Sequence, residues 1–222
     1  MNSVRLYYIK HTGESDLSQI GPLQVEQWLS SLSVLKQGAI QRLLHHKNQV
    51  NSLAGLQLLK LCAIDSEIKN FDLKDIEYPN TGKPFWKSGN VFFDFNISHS
   101  GEFILVAASQ AVSVGIDVEK IKELKRLNFK MVMSPEELEQ VQKQPMLFFS
   151  LWSKKEAVVK AANTIGLARM SDVKLNAHSA ELDEKKWHLK TVDLDDSYAI
   201  NLATSEPIDE FIVKQIQLTE LD

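Results

Sequence analysis

Cysteine is almost missing from this chain. Of 222 residues only Cys62 carries a thiol, inside the apolar run LQLLKLCAI. No disulfide can close within the chain, no zinc site with several cysteines can be built, and Cys62 reads as a small buried hydrophobe. An excess of positive charge is missing too. Lys and Arg number 25 against 29 Asp and Glu, for a formal charge of −4, so no broad basic field is available to hold nucleic acid. Apolar runs are short. FILVAA cannot span a bilayer, and MNSVRLYYIKHTGESD lacks the apolar stretch of a signal peptide. The expectation is a cytoplasmic protein with no membrane partner. No G-x-x-x-x-G-K-[ST] or G-x-G-x-x-G loop is present, and neither is a G-x-S-x-G elbow.

What is present is globular. The chain is 44% hydrophobic and 24% charged, enough for one large domain or two small ones. VRLYYI (4–9) reads as a strand and Pro22 as a helix start. From about Leu35 to Ile64, apolar residues recur at three- and four-residue steps, with Gly38 and Gly55 as interruptions. PNTGKPFWKSGN is loop. VFFDFNIS, FILVAAS and AVSVGIDVE follow as strands, the last two as an expected tight hairpin. Ser134, Pro135 and the acids after them open a short helix. PMLFFSLWSKKEAVVKAAN is the strongest helical pattern, and four strand-like runs fill the remainder from Asp172. Helices, strands, helices, strands: the order occurs twice in unequal form and predicts an α+β fold of two similar halves, divided as 1–108 and 109–222.

Three stretches carry chemistry. In VSVGIDVEKI (112–121), Val112, Val114, Ile116 and Val118 share one strand face, while Asp117 and Glu119 share the other about 7 Å apart. Spacing alone leaves two readings open, a wet strand face or a ligand pair. On the strong helix Glu156 lies at the edge of the apolar face with Lys160 one turn on, and Lys155 projects into that face. The helix alone is equally explained by snorkelling lysines and a surface pair. Combined, three carboxylates with lysines beside them suit Mg²⁺ and a phosphate ligand. In NISHSGEF (96–103), Ser98, His99 and Ser100 run into a turn closed by Gly101, able to receive an anion; an exposed histidine in a plain turn is the alternative. Ser98 and His99 point opposite ways and make no nucleophilic pair. TGKPFW presents Lys83 on a stiff turn. Lys36, Arg42, His45, His46 and Lys47 form a modest basic patch whose adjacent histidines lack metal-pair spacing.

GKP (82–84), NISHS (96–100), GIDVE (115–119) and LWSKKEAVVKA (151–161) occur in the order and at about the spacing of the 4′-phosphopantetheinyl transferase superfamily. The chain resembles that family over roughly residues 40–175, in its larger monomeric type. The resemblance implies two halves related by a pseudo-twofold axis, with coenzyme A in the cleft between them. It implies Mg²⁺ held by Asp117, Glu119 and Glu156, with Asp117, Glu156 and Lys160 catalytic. Lys160 and Lys155 would contact phosphate, Ser98 and His99 would bind phosphate and nucleotide, and Lys83 in its turn would border the adenine. Arg42, His45 and Lys36 would approach the 3′-phosphate, where Asn51 departs from the family's usual arginine. The implied reaction moves the phosphopantetheine arm from coenzyme A to a serine of an apo acyl or peptidyl carrier protein, releasing 3′,5′-ADP. The resemblance leaves the proton acceptor open between Glu156 and a metal-bound water. The rival reading is a non-catalytic coenzyme A or carrier-protein binding module; a magnesium phosphohydrolase ranks lower for want of a nucleophile. Gly115 is expected to let coenzyme A approach the strand, and residues 120–145, with exposed Met131 and Met133, to dock the carrier.

Overall fold

The computed structural model describes residues 1–12, 14–87, 91–124, 131–164 and 166–221. The chain opens with β1 (Ser3–Lys10), a single turn α1 (Glu14–Leu17), α2 (Pro22–Ser30), α3 (Val34–Gln41) and α4 (His46–Asp65). A two-residue pair β2 (Ile76–Glu77) and β3 (Phe85–Trp86) precedes β4 (Asp94–Ser100), β5 (Phe103–Ser109) and β6 (Val114–Lys120). Next come α5 (Pro135–Lys143), α6 (Leu147–Ala161), α7 (Leu167–Asp172), β7 (Lys174–Leu175), β8 (Ser179–Leu182), β9 (Lys185–Thr191), β10 (Tyr198–Thr204) and β11 (Glu210–Gln215). The fold is α+β, as the sequence pattern predicts. Among the described residues no helix is long and apolar enough to cross a membrane.

The sheets run β11-β1-β5-β4 and β6-β10-β9-β8-β7. The expected hairpin between β5 and β6 does not form. β5 pairs with β4, Ser100 opposite Phe103, and with β1, while β6 leaves for the second sheet and pairs with β10. The Gly101 turn, with φ at +60°, closes the real hairpin. Residues 110–113 are therefore a crossover between sheets. The last strand also crosses: β11 returns to lie parallel to β1, so a stretch from beyond residue 109 completes the first sheet.

Each sheet carries one long helix. α4 packs Leu53, Leu56, Leu59 and Ala63 into the first core. Its pattern does not break at Gly38 or Gly55. Helix ends when Arg42 caps α3, and resumes at His46. Gly55 is an interior helix residue at the closest approach to the sheet: a Cβ there would lie 2.9 Å from Ile97 Cγ2. α5 begins as predicted, with a capping box between Ser134 and Glu137 and Pro135 in the first turn. α6 lies across β6 and β10 and builds the second core with Phe148, Phe149, Val158 and Val159. Its closest approach is at Gly115, where a Cβ would collide with the Ala157 carbonyl and the Ala161 amide. Gly115 thus admits a helix, not coenzyme A; it faces backbone atoms of α6 and no solvent.

Candidate active site

The two sheets meet along their open edges, β4 against β6. Every second residue of β4 reaches across. Asp94 accepts the Val114 N–H at 2.7 Å, Asn96 accepts the Ile116 N–H at 2.9 Å, and Ser100 accepts the Lys120 N–H at 3.2 Å. Ser98 donates to the Asp117 carboxylate at 3.1 Å. Lysines answer the carbonyls on that edge: Lys83 donates to Val114 at 2.7 Å and Lys160 to Ile116 at 3.3 Å. Side chains thus take the place of a paired strand, which is how a buried sheet edge avoids unmet backbone groups.

Asp117 sits on this seam, almost fully buried. The Lys160 ammonium lies 2.7 Å from its Oδ1 and 3.3 Å from Glu156 Oε1. Glu119 follows two residues on and is half-buried. One carboxylate oxygen from each of Asp117, Glu119 and Glu156 can be chosen so that all lie within 4.8 Å of one another. The two acids of VSVGIDVEKI thus cluster with Glu156, and Asp117 is buried rather than on a wet face. Asp117 Oδ2 is buried, and among the described residues no donor reaches it. A buried carboxylate oxygen without a donor is costly unless a cation serves it, and three hard oxygen donors fit Mg²⁺.

Electrostatics point the same way. Burial pushes the Asp117 carboxyl up, with Lys160 opposing and Glu156 adding to the rise. Burial, then Asp117, then Glu156 push Glu119 up to about 7. Burial alone would lower the Lys160 ammonium, but Asp117 and Glu156 hold it above its ordinary value. Acids that repel one another around one lysine carry a charge pattern that a divalent ion relieves.

Ser98 joins the cluster, with Lys160 3.3 Å from its hydroxyl. His99 points to the other face. It lines a cavity of about 210 Å³ with Lys36, Ser52, Tyr78, Pro84 and Ile97. Desolvation, then the charge of Lys160, lowers its pKa. Lys36 stands 4.3 Å over the Tyr78 ring. Arg42 and His45 are exposed beyond α3, outside the residues lining this cavity, and Asn51 is buried in α4. Two predicted phosphate or nucleotide contacts are committed elsewhere. Lys155 is fully buried, 2.7 Å from Glu137 and 3.0 Å from the Val132 carbonyl, tying α6 to the start of α5. The Lys83 ammonium is 2.5 Å from Asp94. Of the expected docking methionines, Met131 is exposed but Met133 is buried, and residues 125–130 of that segment lie outside the described residues.

Several working residues escaped the sequence reading. Ser153, fully buried, donates to the Asp117 carbonyl at 3.1 Å and accepts from Asn201, which sits opposite Asp117 on β10. Asp94 and Asn96 form the seam, together with the Ser100 already named in the NISHSGEF turn. Their signal was on the page: polar residues at every second position of DFNISHS, on a strand whose other positions are apolar or bulky.

Comparison with known proteins agrees with this geometry. A family model described as the 4′-phosphopantetheinyl transferase superfamily matches residues 113–214. One described as the N-terminal part of 4′-phosphopantetheinyl transferase matches residues 22–111. The chain is 30% identical over 198 residues to the 4′-phosphopantetheinyl transferase psf-1 of Bacillus pumilus, covering 83% of each chain. It is 28% identical over 197 residues to a 4′-phosphopantetheinyl transferase of Bacillus subtilis, covering 82% of this chain and 86% of the other. With the acids, the lysine and the seam in one place and both halves matched in order, the chain belongs to the 4′-phosphopantetheinyl transferase superfamily.

Proposed function

We propose that this protein transfers the 4′-phosphopantetheine group of coenzyme A to a serine hydroxyl of an apo acyl or peptidyl carrier protein, with 3′,5′-ADP as the leaving group. The observation that carries the reading is the trio Asp117, Glu119 and Glu156 around Lys160, with a buried Asp117 oxygen that no donor serves among the described residues. These three acids would hold Mg²⁺. Bound there, the ion supplies charge neutralisation to a pyrophosphate.

The remaining work falls to the chain's own groups. Lys160 stays protonated because two acids face it, so it offers a fixed positive charge to phosphate oxygens. Ser98 sits on the same seam and orients it. The cavity lined by Lys36, Tyr78, Pro84 and His99 opens on the other face of β4 and suits a nucleotide. The serine oxygen attacks phosphorus in line, and the bond from phosphorus to the ADP oxygen breaks. Such a transfer asks the protein for positioning and charge. Glu156, half-buried at the cleft rim, is placed to take the serine proton.

Incubating an apo carrier protein with the enzyme, coenzyme A and Mg²⁺ should add the mass of one phosphopantetheine to its serine. No gain on any of a panel of carriers that a proven transferase modifies would sink the reading. A binding module that only keeps the fold would hold the carrier without modifying it, and Asp117→Asn would leave that affinity unchanged.

A further inference from the structure

We infer that the Gly82–Lys83 turn is a clip that fixes the spacing between the two elements carrying the metal acids, and that Lys83 is a positioning residue rather than a nucleotide contact. The inference rests on the metal site proposed above.

The turn touches three elements at once. The Lys83 ammonium donates to the Asp94 carboxylate on β4 at 2.5 Å and to the Val114 carbonyl on β6 at 2.7 Å. Asp94 Oδ2 also accepts the Val114 N–H at 2.7 Å. One ion pair therefore holds both backbone groups of Val114, three residues before Asp117. The third element is α6. The Lys83 N–H donates to Asn163 Oδ1 at 2.8 Å, just past the helix that carries Glu156 and Lys160. Asn163 is itself left-handed, with φ at +55°. Gly82 permits the approach: its φ is +90°, and a Cβ there would lie 2.6 Å from Asn163 Oδ1.

Lys83 has little freedom for another task. Its side chain is 9% exposed. An ammonium withdrawn this far stays charged only while paired and hydrogen-bonded, and removing it for a ligand would strand Asp94. Pro84, the next residue, lines the cavity beside Tyr78 and His99. The turn thus presents its proline to the ligand and keeps its lysine for the frame. With the clip open, the start of β6 and the end of α6 keep their packing, the Gly115 contact and the Lys160 bonds but lose the tie through the turn, and the three acids are held less firmly at their mutual spacing.

Full-length protein titrated with Mn²⁺, with and without coenzyme A, gives a direct readout from the loss of the free-ion paramagnetic signal. The double variant Lys83→Met with Asp94→Asn removes both charges together, so no buried charge is orphaned. Its Mn²⁺ dissociation constant should rise about tenfold or more, as for other supports of metal ligands. Its KM for coenzyme A at saturating metal should move less than about twofold. Asn163→Gly removes the same hydrogen bond from an exposed side chain, keeps the left-handed backbone and gives a folded second test, with a Mn²⁺ shift of about threefold in the same direction. A rise in KM for coenzyme A with unchanged Mn²⁺ affinity would make Lys83 a ligand contact and overturn the inference. Unchanged Mn²⁺ affinity in folded Asn163→Gly overturns it as well. Wild-type protein that binds no Mn²⁺ with or without coenzyme A overturns the metal reading and the clip with it; wild type that binds normally while the variants do too overturns the clip alone.

Discussion

Both halves lay one long helix on one sheet, and both put a glycine at the point of closest approach, but they put it on opposite partners. In the first half the glycine is on the helix: Gly55 of α4 faces Ile97 and Ile104 of the sheet. In the second it is on the strand: Gly115 of β6 faces the backbone of α6. The helices differ more. The buried residues of α4 are apolar or glycine except for Asn51 and Gln57, and no charged side chain is among them. α6 interrupts its apolar face with Ser153 and Lys155, and carries Glu156 and Lys160 at its rim. Each buried charge there is paired: Lys155 with Glu137, Lys160 with Asp117. Burying a charge costs several kcal/mol unless a partner meets it. The first half is therefore a core with a cavity beside it, and the second half is where packing has been given up for chemistry.

The largest effect should come from breaking the second half's charge set while leaving its shape. Asp117→Asn is nearly isosteric and removes the buried anion that faces Lys160 and that the proposed metal would need. Turnover should fall by about a hundredfold to a thousandfold, with the circular dichroism spectrum unchanged. A variant retaining more than about a tenth of wild-type turnover would remove Asp117 from the reaction.

The glycines test the packing side of the contrast. Gly115→Ala drives a methyl group into helix backbone that cannot step aside, and should cost about 3 kcal/mol in urea unfolding. Gly55→Ala meets the Ile97 Cγ2 methyl at 2.9 Å, with Ile104 at 3.5 Å. That methyl moves only with its branched side chain, but it is side chain rather than backbone, and alanine in place of helical glycine returns about 1 kcal/mol, so the net loss should be about 1 kcal/mol, well below that of Gly115→Ala. Equal losses at the two sites would mean the helices approach their sheets in the same way.

The same contrast explains what could be read in advance. Strand-like runs marked β1, β4, β5, β6, β9, β10 and β11, alternation stood out in β6, and Ser134 with Pro135 marked the start of α5. The acids were legible because Asp117 and Glu119 share a strand face and Glu156 with Lys160 share a helix face. What hid was pairing across distance. Nothing local says that β6 leaves β5 for another sheet, or that β11 returns to β1. Lys155 and Lys83 look like free cations in sequence because their partners, Glu137 and Asp94, lie on other elements. Gly115 was read as room for a ligand when the neighbour it admits is α6. Ser153 looked like an ordinary polar helix residue and is the buried donor to the Asp117 carbonyl.

Ser153 sharpens the comparison at a smaller scale. Its nearest counterparts on the first half's long helix, Gln57 and the Ser66 that follows it, bond Ser31 and the Cys62 carbonyl of the helix itself. Ser153→Ala removes one buried hydrogen bond and leaves the Asn201 amide short of an acceptor, a loss of about 1–2 kcal/mol in thermal or urea unfolding. If Ser153 also orients Asp117, Mn²⁺ affinity should weaken about threefold beyond that stability loss. A stability loss with Mn²⁺ binding untouched would make Ser153 a packing residue like those of α4.

The smallest effect is a pH dependence that belongs to the second half. Glu119 ionises in the folded protein at about 7 against an ordinary 4.5, through burial and then the neighbouring Asp117 and Glu156. A carboxyl raised in this way favours the fold while protonated. Its contribution is complete below the unfolded value and is lost as pH rises through about 7. Bound divalent metal needs the ionised form, so below that pH the ion must expel a proton to bind. The melting temperature gained from a fixed Mg²⁺ concentration should therefore be larger at pH 8 than at pH 6, and Glu119→Gln should flatten the difference. In the first half, burial pushes the Cys62 thiol up to about 12, and burial and then the charge of Lys160 lower His99. A Mg²⁺ gain that is equal at pH 6 and pH 8 in the wild type would place Glu119 outside the metal's ligands and leave Asp117 and Glu156 to hold it alone.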